Sequence, residues 1–331
     1  MWGWASSRPQ CCLKVGADSV AWAEAERNWR GRRRYRCVTS PLPVGSVKLS
    51  SSEPNLVDPS TVEGRIRTLA GPGQGFRLAG RSLLSDIPRR IVLLLPDTAV
   101  RAVALHLDQL PSKPDERETL IRWRLGQEQL FPLSGAKVVS QVFPAGPGSG
   151  ERTHSVLAVA IQESVLDQYE MLCESAGLIP YDIGLTSLRL FDLWQRASGR
   201  SRWTRRDFLW ASVSDHALTT MVFQRGRLLF YRCKLLGVDA AEVGKNPDVL
   251  AKIIDECGAS LDVCQQRHPS ALIKEAVICA DGDLSALQAK VEAGLDLSVE
   301  QLGWRSVEAL GWMTKGSHRS TTSFAVLAGV S

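Results

Sequence analysis

Three short apolar runs lie close together in FLWASVSDHALTTMVFQRGRLLFYRCKLLG, residues 208–237. The runs Phe208–Val213, Leu218–Phe223 and Leu228–Lys234 are rich in β-branched and aromatic residues, which favour strands. Between the second and third runs, residues 224–227 supply a glycine of the kind that tight hairpin turns use. The segment therefore predicts three strands, the last two of them joined as a hairpin.

Upstream of this segment, strand and helix patterns alternate. Ile91–Leu95 is a continuous apolar run, typical of a central strand that is buried on both faces. The predicted elements that follow are a strand at Ala99–Leu107, a helix at Asp115–Phe131 with Asp115 as its N-cap, strands at Lys137–Phe143 and Val156–Ile161, and helices at Glu163–Ala176 and from Thr186 to about Ala197. This alternation favours an α/β sheet flanked by helices, and the Arg- and Ser-containing stretch Ser198–Arg206 predicts a linker between two domains.

The rest of the second half repeats the order of the first. Its predicted elements are a helix at Asp248–Gln266, a strand at Ala276–Cys279, a helix capped by Asp283 that runs to about Ala293, and an apolar final strand at Ser323–Val330. Near the start of the chain, Cys11–Ala23 predicts a first hairpin around a tight Val15–Asp18 turn. The two halves share this order of elements without any close sequence repeat.

Composition places the chain among ordinary globular proteins. Of its 331 residues 44% are hydrophobic and 23% charged, and 40 Lys and Arg against 35 Asp and Glu give a net charge of +5. This surplus is too small to predict a nucleic-acid partner. The apolar runs have the length of strands and no secretory signal is visible, which predicts a cytosolic protein. In that reducing compartment we expect the eight cysteines to be buried small hydrophobes.

No residue pattern nominates a catalytic group or a metal site. Cys257, Cys264 and His268 fall on one face of a predicted helix, but a structural zinc needs four ligands and the sequence offers no fourth. The five histidines occur singly, outside any local signature that would activate a serine or cysteine nucleophile. We therefore expect no catalytic residue and no metal site, and the sequence leaves open whether the chain is an enzyme.

Taken in order, several stretches resemble the family of the type IV pilus assembly protein PilM and its relative, the cytoplasmic part of the type II secretion protein GspL. The order of the set, and not any single motif, carries this resemblance. The stretches are 92–97 (VLLLPD) with Val100 and Arg101, Leu110-Pro111, 120–123 (LIRW), 157–161 (LAVAI) with Tyr169, 176–178 (AGL) with Pro180, 208–237, and 324–329 (FAVLAG).

The resemblance implies an α/β, actin-like fold, in which two ribonuclease-H-like halves face each other across a cleft. Residues 1–200 would form the first half, with a small β–α–β subdomain inserted at about 97–143, and residues 207–331 would form the second half. Only the residues between Gly237 and Ala276, with one predicted helix, are left for the subdomain on the adenine side of the cleft. We therefore expect that subdomain to be reduced.

In this family ATP lies in the cleft, where two glycine-containing hairpin turns hold its phosphates and metal and a Gly-Gly turn supports the adenosine. By resemblance, the corresponding positions are Lys14, Gly16, Ala17 and Asp18 in the first turn, Ser212, Ser214 and Asp215 in the second, and Gly282 in the third. All three turns depart from the family pattern. Lys14 and Ser212 stand where Asp should open the first two turns, and Asp residues flank Gly282 in place of a glycine pair.

These departures imply a degenerate nucleotide-binding fold. Proteins usually hold Mg²⁺ through carboxylates and phosphates, so loss of both acidic positions removes the expected metal site. We therefore expect no cofactor. The alternative is that ATP, with or without Mg²⁺, still binds because Lys14 substitutes as a phosphate-binding cation.

The resemblance also implies a function and a partner. PilM binds a short cytoplasmic tail of the membrane protein PilN in a groove between its first half and the inserted subdomain. We expect a non-catalytic cytosolic scaffold of a type IV pilus or type II secretion-like assembly platform, associated peripherally with the inner membrane through a PilN-like or GspL/GspM-like tail. The rival functions are an ATP-binding or ATP-hydrolysing actin-like assembly protein, a metabolic kinase of the same superfamily and a self-polymerising filament protein, and a homo-oligomer stays open.

Three residues of the predicted inserted helix are the candidate partner contacts. Arg122, Trp123 and Arg124 combine an aromatic ring with two guanidinium groups, and such side chains commonly anchor interfaces. The alternative is that Trp123 packs against the strands of its own subdomain.

Overall fold

The computed structural model describes residues 9–27, 33–71, 77–78, 81–82, 88–128, 133–143, 153–199, 203–237, 243, 246–281, 284–312 and 320–330. Within these ranges the strands are β1 (Cys11–Val15), β2 (Ser19–Arg27), β3 (Arg33–Pro41), β4 (Arg77–Leu78), β5 (Arg81–Ser82), β6 (Arg89–Leu95), β7 (Arg101–Leu107), β8 (Ala136–Phe143), β9 (His154–Gln162), β10 (Leu178–Leu185), β11 (Asp207–Ser214), β12 (Ala217–Gln224), β13 (Arg227–Leu235), β14 (Glu275–Cys279) and β15 (Ser298–Gln301). The helices are α1 (Pro59–Ala70), α2 (Pro114–Gln127), α3 (Glu163–Ser175), α4 (Thr186–Ser198), α5 (Pro247–Arg267), α6 (Ser285–Leu295), α7 (Trp304–Ala309) and α8 (Thr321–Val330).

Two five-stranded sheets have the same topology. The first has the order β10-β6-β1-β2-β3 and the second the order β13-β12-β11-β14-β15. In the first sheet β1, β2 and β3 pair antiparallel, whereas β6 pairs parallel with both β1 and β10. In the second sheet β11, β12 and β13 pair antiparallel, whereas β14 pairs parallel with both β11 and β15. The two halves are therefore a structural duplication that their sequences do not reveal.

The apolar runs that predicted strands lie at the centres of these sheets. Ile91–Leu95 forms the buried part of β6, with side chains at most 4% exposed. The segment 208–237 forms β11, β12 and β13, as its pattern predicted. In the turn between β12 and β13, Arg225 and Gly226 both have positive φ, at 46° and 82°. That backbone twist matches the twist of the flanking strands, so the hairpin prediction is confirmed.

A third sheet, in the order β7-β9-β8, is inserted between β6 and α3. The sequence placed this insertion at about 97–143, as a β–α–β unit. Strand β9 pairs antiparallel with both β7 and β8, so the sheet extends to Gln162 and contains one more strand than expected. Helix α2 covers one face of the sheet, where Ile121 and Leu125 are buried against Leu105 and Val156.

The C-terminal apolar run is a helix, so the predicted final strand is wrong. Residues Thr321–Val330 form α8, which packs against α4 and against β1 and β2 of the first sheet and is buried on nearly all sides. An apolar run of this length has no periodicity that separates a buried strand from a buried helix.

Two helices also start at residues other than those predicted. Lys113 precedes α2 and makes no side-chain cap, whereas Asp115 lies within the first turn. Helix α6 starts at Ser285, and the predicted cap Asp283 lies outside the described residues. Both differences are shifts of one or two residues at a helix end, where assignment is least certain from sequence because several polar residues compete for the cap.

An aromatic cluster joins the two halves. Phe191 and Trp194 on α4 pack against Phe208 and Trp210 on β11 and against Phe223 on β12. The rings of Phe191 and Phe223 are stacked, with 4.7 Å between their centroids. The helix that ends the first half is therefore part of the core of the second.

Candidate functional site

The tips of two hairpins, one from each half, contact each other, and we call them the central turns. The first is the β1–β2 turn, Gly16–Asp18, and the second is the β11–β12 turn, formed by Asp215 and His216. Both residues of the second turn have positive φ, at 50° and 57°. Two-residue hairpin turns require this conformation, and Asp and His adopt it more readily than most residues.

A buried ion pair connects the two turns. Lys14 Nζ lies 2.8 Å from Asp215 Oδ1 and also 2.8 Å from Oδ2. The Lys14 side chain is fully buried and that of Asp215 is 6% exposed. Ala17 N–H donates to Asp215 Oδ1 at 3.2 Å, and Lys14 Nζ donates to Thr322 Oγ1 at 3.2 Å. These hydrogen bonds offset part of the cost of removing two charges from water.

The contact between the turns leaves no space at position 16. A Cβ on Gly16 would lie 2.3 Å from Asp215 Oδ1 and 3.0 Å from Lys14 Nζ. At the rim of the contact, the Asp18 carboxylate pairs with His216 Nε2. A methyl group does not fit between the turns as they stand, and a phosphate group is larger.

The third predicted turn contributes a carboxylate. Asp281 follows β14, and its Oδ1 accepts the N–H of Thr321 at the start of α8, where a helix favours an anion. Burial raises the pKa of Asp281, opposed by the hydrogen bonds from Thr321 and by the charge of Lys14. Gly282 lies outside the described residues.

The chain's own carboxylates therefore occupy the groups that would receive an anion. Lys14 and the Ala17 N–H contact Asp215, and the Thr321 N–H contacts Asp281. One ammonium group and two buried carboxyl groups leave no surplus positive charge in this part of the described structure. Further negative charge is disfavoured there, because it would be buried without a counter-ion.

The resemblance named most of the residues of this cluster, but it did not predict the ion pair between them. Lys14, Gly16, Ala17, Asp18 and Asp215 lie together as expected, and Ser212 and Ser214 are buried on the strand that leads to the second turn. The Ser212 hydroxyl has no hydrogen-bond partner among the described residues. Thr321 and Thr322 were missed, because they precede the segment Ser323–Val330, which was predicted as a strand and not as part of a helix.

The described residues do not assemble a metal site. They contain no group of three or more His, Cys, Asp or Glu side chains placed to hold an ion. Cys257 and Cys264 are buried in the core of the second half, and His268 follows the end of α5. Seven of the eight free cysteines are buried, which confirms their expected role as small hydrophobes.

A groove separates the inserted sheet from the first sheet. Two cavities, of about 440 and 310 Å³, follow this boundary and share Ile183, Gly184, Leu185 and Leu188. Because they share these residues, we treat them together as the β8–β10 groove, which is named for the two strands that line its sides. Within the described residues, each of these strands lies at the edge of its sheet.

The lining of the β8–β10 groove is apolar at its centre and charged along its sides. Val139 on β8 is 55% exposed and Tyr181 on β10 is 43% exposed, which is unusual for large apolar side chains near a core. The guanidinium of Arg90 lies 4.0 Å from the centroid of the Tyr181 ring. Farther along, Arg189 forms an ion pair with Asp182. The groove therefore offers apolar contacts together with both signs of charge.

Arg122, Trp123 and Arg124 lie on α2 and line neither cavity of the groove. Trp123 is 57% exposed, with the Arg124 guanidinium 5.4 Å from its ring, so it does not pack into the strands beneath it. Arg122 pairs with Glu118 and donates to the carbonyl of Ala136. Because side chains alternate along a strand, α2 and the groove lie on opposite faces of the inserted sheet.

No protein-family model matches the sequence, and no curated protein sequence matches it. Solved structures do match. The PilM–PilN type IV pilus biogenesis complex superposes with a TM-score of 0.63 and 19% identity, over 97% of each chain. The likeness thus includes both duplicated sheets and the inserted one. The chain has an actin-like fold.

Two further solved structures are similar to this actin-like chain at lower TM-scores. One is a Bacteroides thetaiotaomicron protein described as having an actin-like ATPase fold and unknown function, with a TM-score of 0.49 and 12% identity over 94% of this chain and 98% of the other. The other is the cytoplasmic domain of EpsL, an inner membrane component of the type II secretion system of Vibrio cholerae, with a TM-score of 0.43 and 10% identity over 96% and 94%.

In the actin-like fold, the two contacting turns come from equivalent positions of the duplicated halves. Each connects the first and second strands of its sheet, β1 to β2 and β11 to β12. Among the described residues, no helix is both long and apolar enough to cross a bilayer.

Proposed function

We propose that this protein is a non-catalytic component of a pilus or type II secretion-like assembly platform. In this role it binds the short cytoplasmic tail of an inner-membrane partner in the β8–β10 groove, and it associates with the membrane only through that partner. The single observation that carries the proposal is the groove, because it places two strand edges beside exposed apolar side chains.

Edge strands suit an extended tail. The outer edges of β8 and β10 present backbone N–H and C=O groups that a peptide strand can pair with, which supplies affinity with little dependence on sequence. Pockets between the strands then select side chains of the tail. Val139 and Tyr181 offer apolar area, while Arg189 and Asp182 flank the path with charge.

The central cleft supports a role without catalysis. In an ATP-hydrolysing relative the space between the two turns would hold phosphates, whereas here Lys14 and Asp215 contact each other across it. The neighbour with the same fold over 97% of each chain is a complex of PilM with PilN, which favours a binding role for this chain as well.

The test measures binding of synthetic peptides by fluorescence anisotropy. The peptides cover the cytoplasmic residues ahead of the membrane helix in each single-span protein encoded beside this chain, with scrambled versions as controls. We expect one tail to bind. We expect Val139→Glu to weaken that binding about tenfold or more, because it replaces an apolar contact worth about 1.4 kcal/mol or more with a buried charge.

Val57 supplies the matched control for this variant. It is an exposed valine, at 64%, and lines neither cavity of the groove, so Val57→Glu should leave peptide affinity unchanged. Equal affinity of both variants for the tail would place the tail elsewhere on the molecule. Failure of every tail to bind would refute the partner proposal.

Calorimetric titration with Mg-ATP separates this function from the ATP-binding alternative. We expect no heat of binding at millimolar nucleotide. Micromolar binding that Lys14→Ala abolishes would instead establish a nucleotide-dependent assembly protein.

A further inference from the structure

Three contacts between the halves converge on the two central turns. Lys14 pairs with Asp215, the Ala17 N–H donates to the same carboxylate, and Asp18 pairs with His216. We call these five residues the cleft latch. Each contact has one member in the first half and one in the second, so the latch resists separation of the turns directly.

We propose that the cleft latch is a built-in replacement for a bound ligand, which keeps the two halves closed without any nucleotide. A charged ligand that binds between two domains holds them together because it forms ion pairs or hydrogen bonds with both at the same time. In this chain the Asp215 carboxylate, carried by the second half, takes that role toward an ammonium and a backbone amide of the first half. The inference concerns the cleft alone and does not depend on a tail binding in the β8–β10 groove.

The energetics of buried ion pairs support a conformational role for the latch. Replacing such a pair by apolar residues of similar volume is often neutral or stabilising, so the pair is poorly explained as a source of stability alone. The pair does require one arrangement of the two halves, however, because Lys14 and Asp215 can neutralise each other's charge only while the two turns are in contact. Separation by a few ångströms would leave both charges without a partner in a poorly hydrated site.

Asp281 and α8 add further hydrogen bonds around the cleft latch. Asp281 accepts the Thr321 N–H, and the next residue, Thr322, accepts from Lys14 Nζ. Helix α8 in turn packs on β1 and β2 of the first half. Helix α8 thus contacts Lys14 of the latch directly and also packs against both halves.

Hydrogen–deuterium exchange, followed by mass spectrometry on peptides covering 13–19 and 213–218, tests the proposal. Asp215→Asn removes the charge while keeping a similar shape. We expect exchange to rise about tenfold or more at both turns, including the first-half turn that carries no substitution, because opening exposes both at once. Mg-ATP at millimolar concentration should leave exchange of the wild-type turns unchanged.

Asp296→Asn is the matched control. Asp296 also has positive φ, at 53°, and pairs with a lysine, Lys274, at 2.7 Å, but on the surface. This variant should change exchange at neither central turn. Should Asp215→Asn fail to fold, Lys14→Met combined with Asp215→Asn removes both buried charges and is expected to fold with both turns loosened.

Three results would overturn the latch. One is a folded variant of either kind that exchanges like wild type at the first-half turn. Another is loosening by Asp296→Asn that matches that of Asp215→Asn. The last is slower exchange of the wild-type turns in Mg-ATP, because the cleft would then accept the ligand that the latch is proposed to replace.

Discussion

At the scale of single residues, the contact between the two halves leaves no room for a side chain at Gly16. A Cβ at this position would lie 2.3 Å from a carboxylate oxygen of Asp215, an atom on the other half of the molecule. The resemblance assigned Lys14, Gly16 and Asp215 to two turns that face each other across the cleft, and in the structure these residues are in contact. The resemblance could not predict that Lys14 and Asp215 pair with each other, because residues 201 positions apart are brought together only by the complete fold.

Gly16→Ala should therefore destabilise the protein by about 3 kcal/mol, the usual effect of disrupting a buried ion pair. Urea unfolding measures this change. Gly64→Ala is the control, because Gly64 lies within α1 with nothing within 4 Å of its would-be Cβ, so alanine should stabilise by about 0.5–1 kcal/mol. Equal effects of the two substitutions would show that the turns separate at little cost.

At the scale of elements, two histidines form one of the contacts between the inserted sheet and the second half. His106 on β7 and His268 after α5 meet edge to face, with 4.6 Å between ring centroids. His106 Nε2 lies 3.0 Å from the carbonyl oxygen of Leu229, which can only accept, so Nε2 carries the proton. Within the described residues, His106 Nδ1 and His268 Nε2 have no hydrogen-bond partner.

This contact should weaken in acid. Burial lowers the pKa of His106, and burial together with His106, Arg227 and Arg267 lowers that of His268 to about 4. A histidine whose pKa is lower in the folded state binds protons preferentially when unfolded, so its contribution is complete above pH 6.5 and is lost as the pH falls toward 4.

We expect His268→Gln to remove about 1 kcal/mol of this pH dependence, a figure kept small because the ring is only half-buried. The measurement is the free energy of urea unfolding at several pH values between 4 and 7. His154→Gln, at an exposed position on β9, should leave the pH profile unchanged. A His268→Gln profile parallel to that of wild type would contradict the assignment.

Most strands and helices were predictable where the local sequence agrees with the final structure, and the errors fall where only tertiary contacts decide. Ile91–Leu95 and residues 208–237 combine β-favouring residues with turn signals, so local sequence and final structure agree. The α8 segment is apolar from Phe324 onward and is buried against α4 and the first sheet, so only the tertiary contacts decide that it is helical. The resemblance implied a groove between the first half and the inserted subdomain, but the residue patterns could not supply the lining of the β8–β10 groove, because strands from two different sheets form it.

At the scale of the whole molecule, the duplicated topology raises the question of whether each half folds alone. The linker at 198–206 predicted a domain boundary, and each half has its own sheet. However, Phe191 and Trp194 of the first half are buried against the second, at 4% and 1% exposure, and α8 of the second half is buried against the first sheet. Removing either half would expose a large apolar surface on the other.

Fragments 1–199 and 203–331 should therefore fail to unfold cooperatively when each is produced alone, because a core cut through its aromatic cluster loses several well-buried side chains at about 1.5–3 kcal/mol each. Co-expressed, the two fragments should associate and recover a cooperative thermal transition, followed by circular dichroism. A cooperative transition in an isolated fragment would mean that the half carries a complete core of its own. The cleft between the halves would then be a junction between independent domains, and closure by Lys14 and Asp215 would have to hold them without help from the shared core.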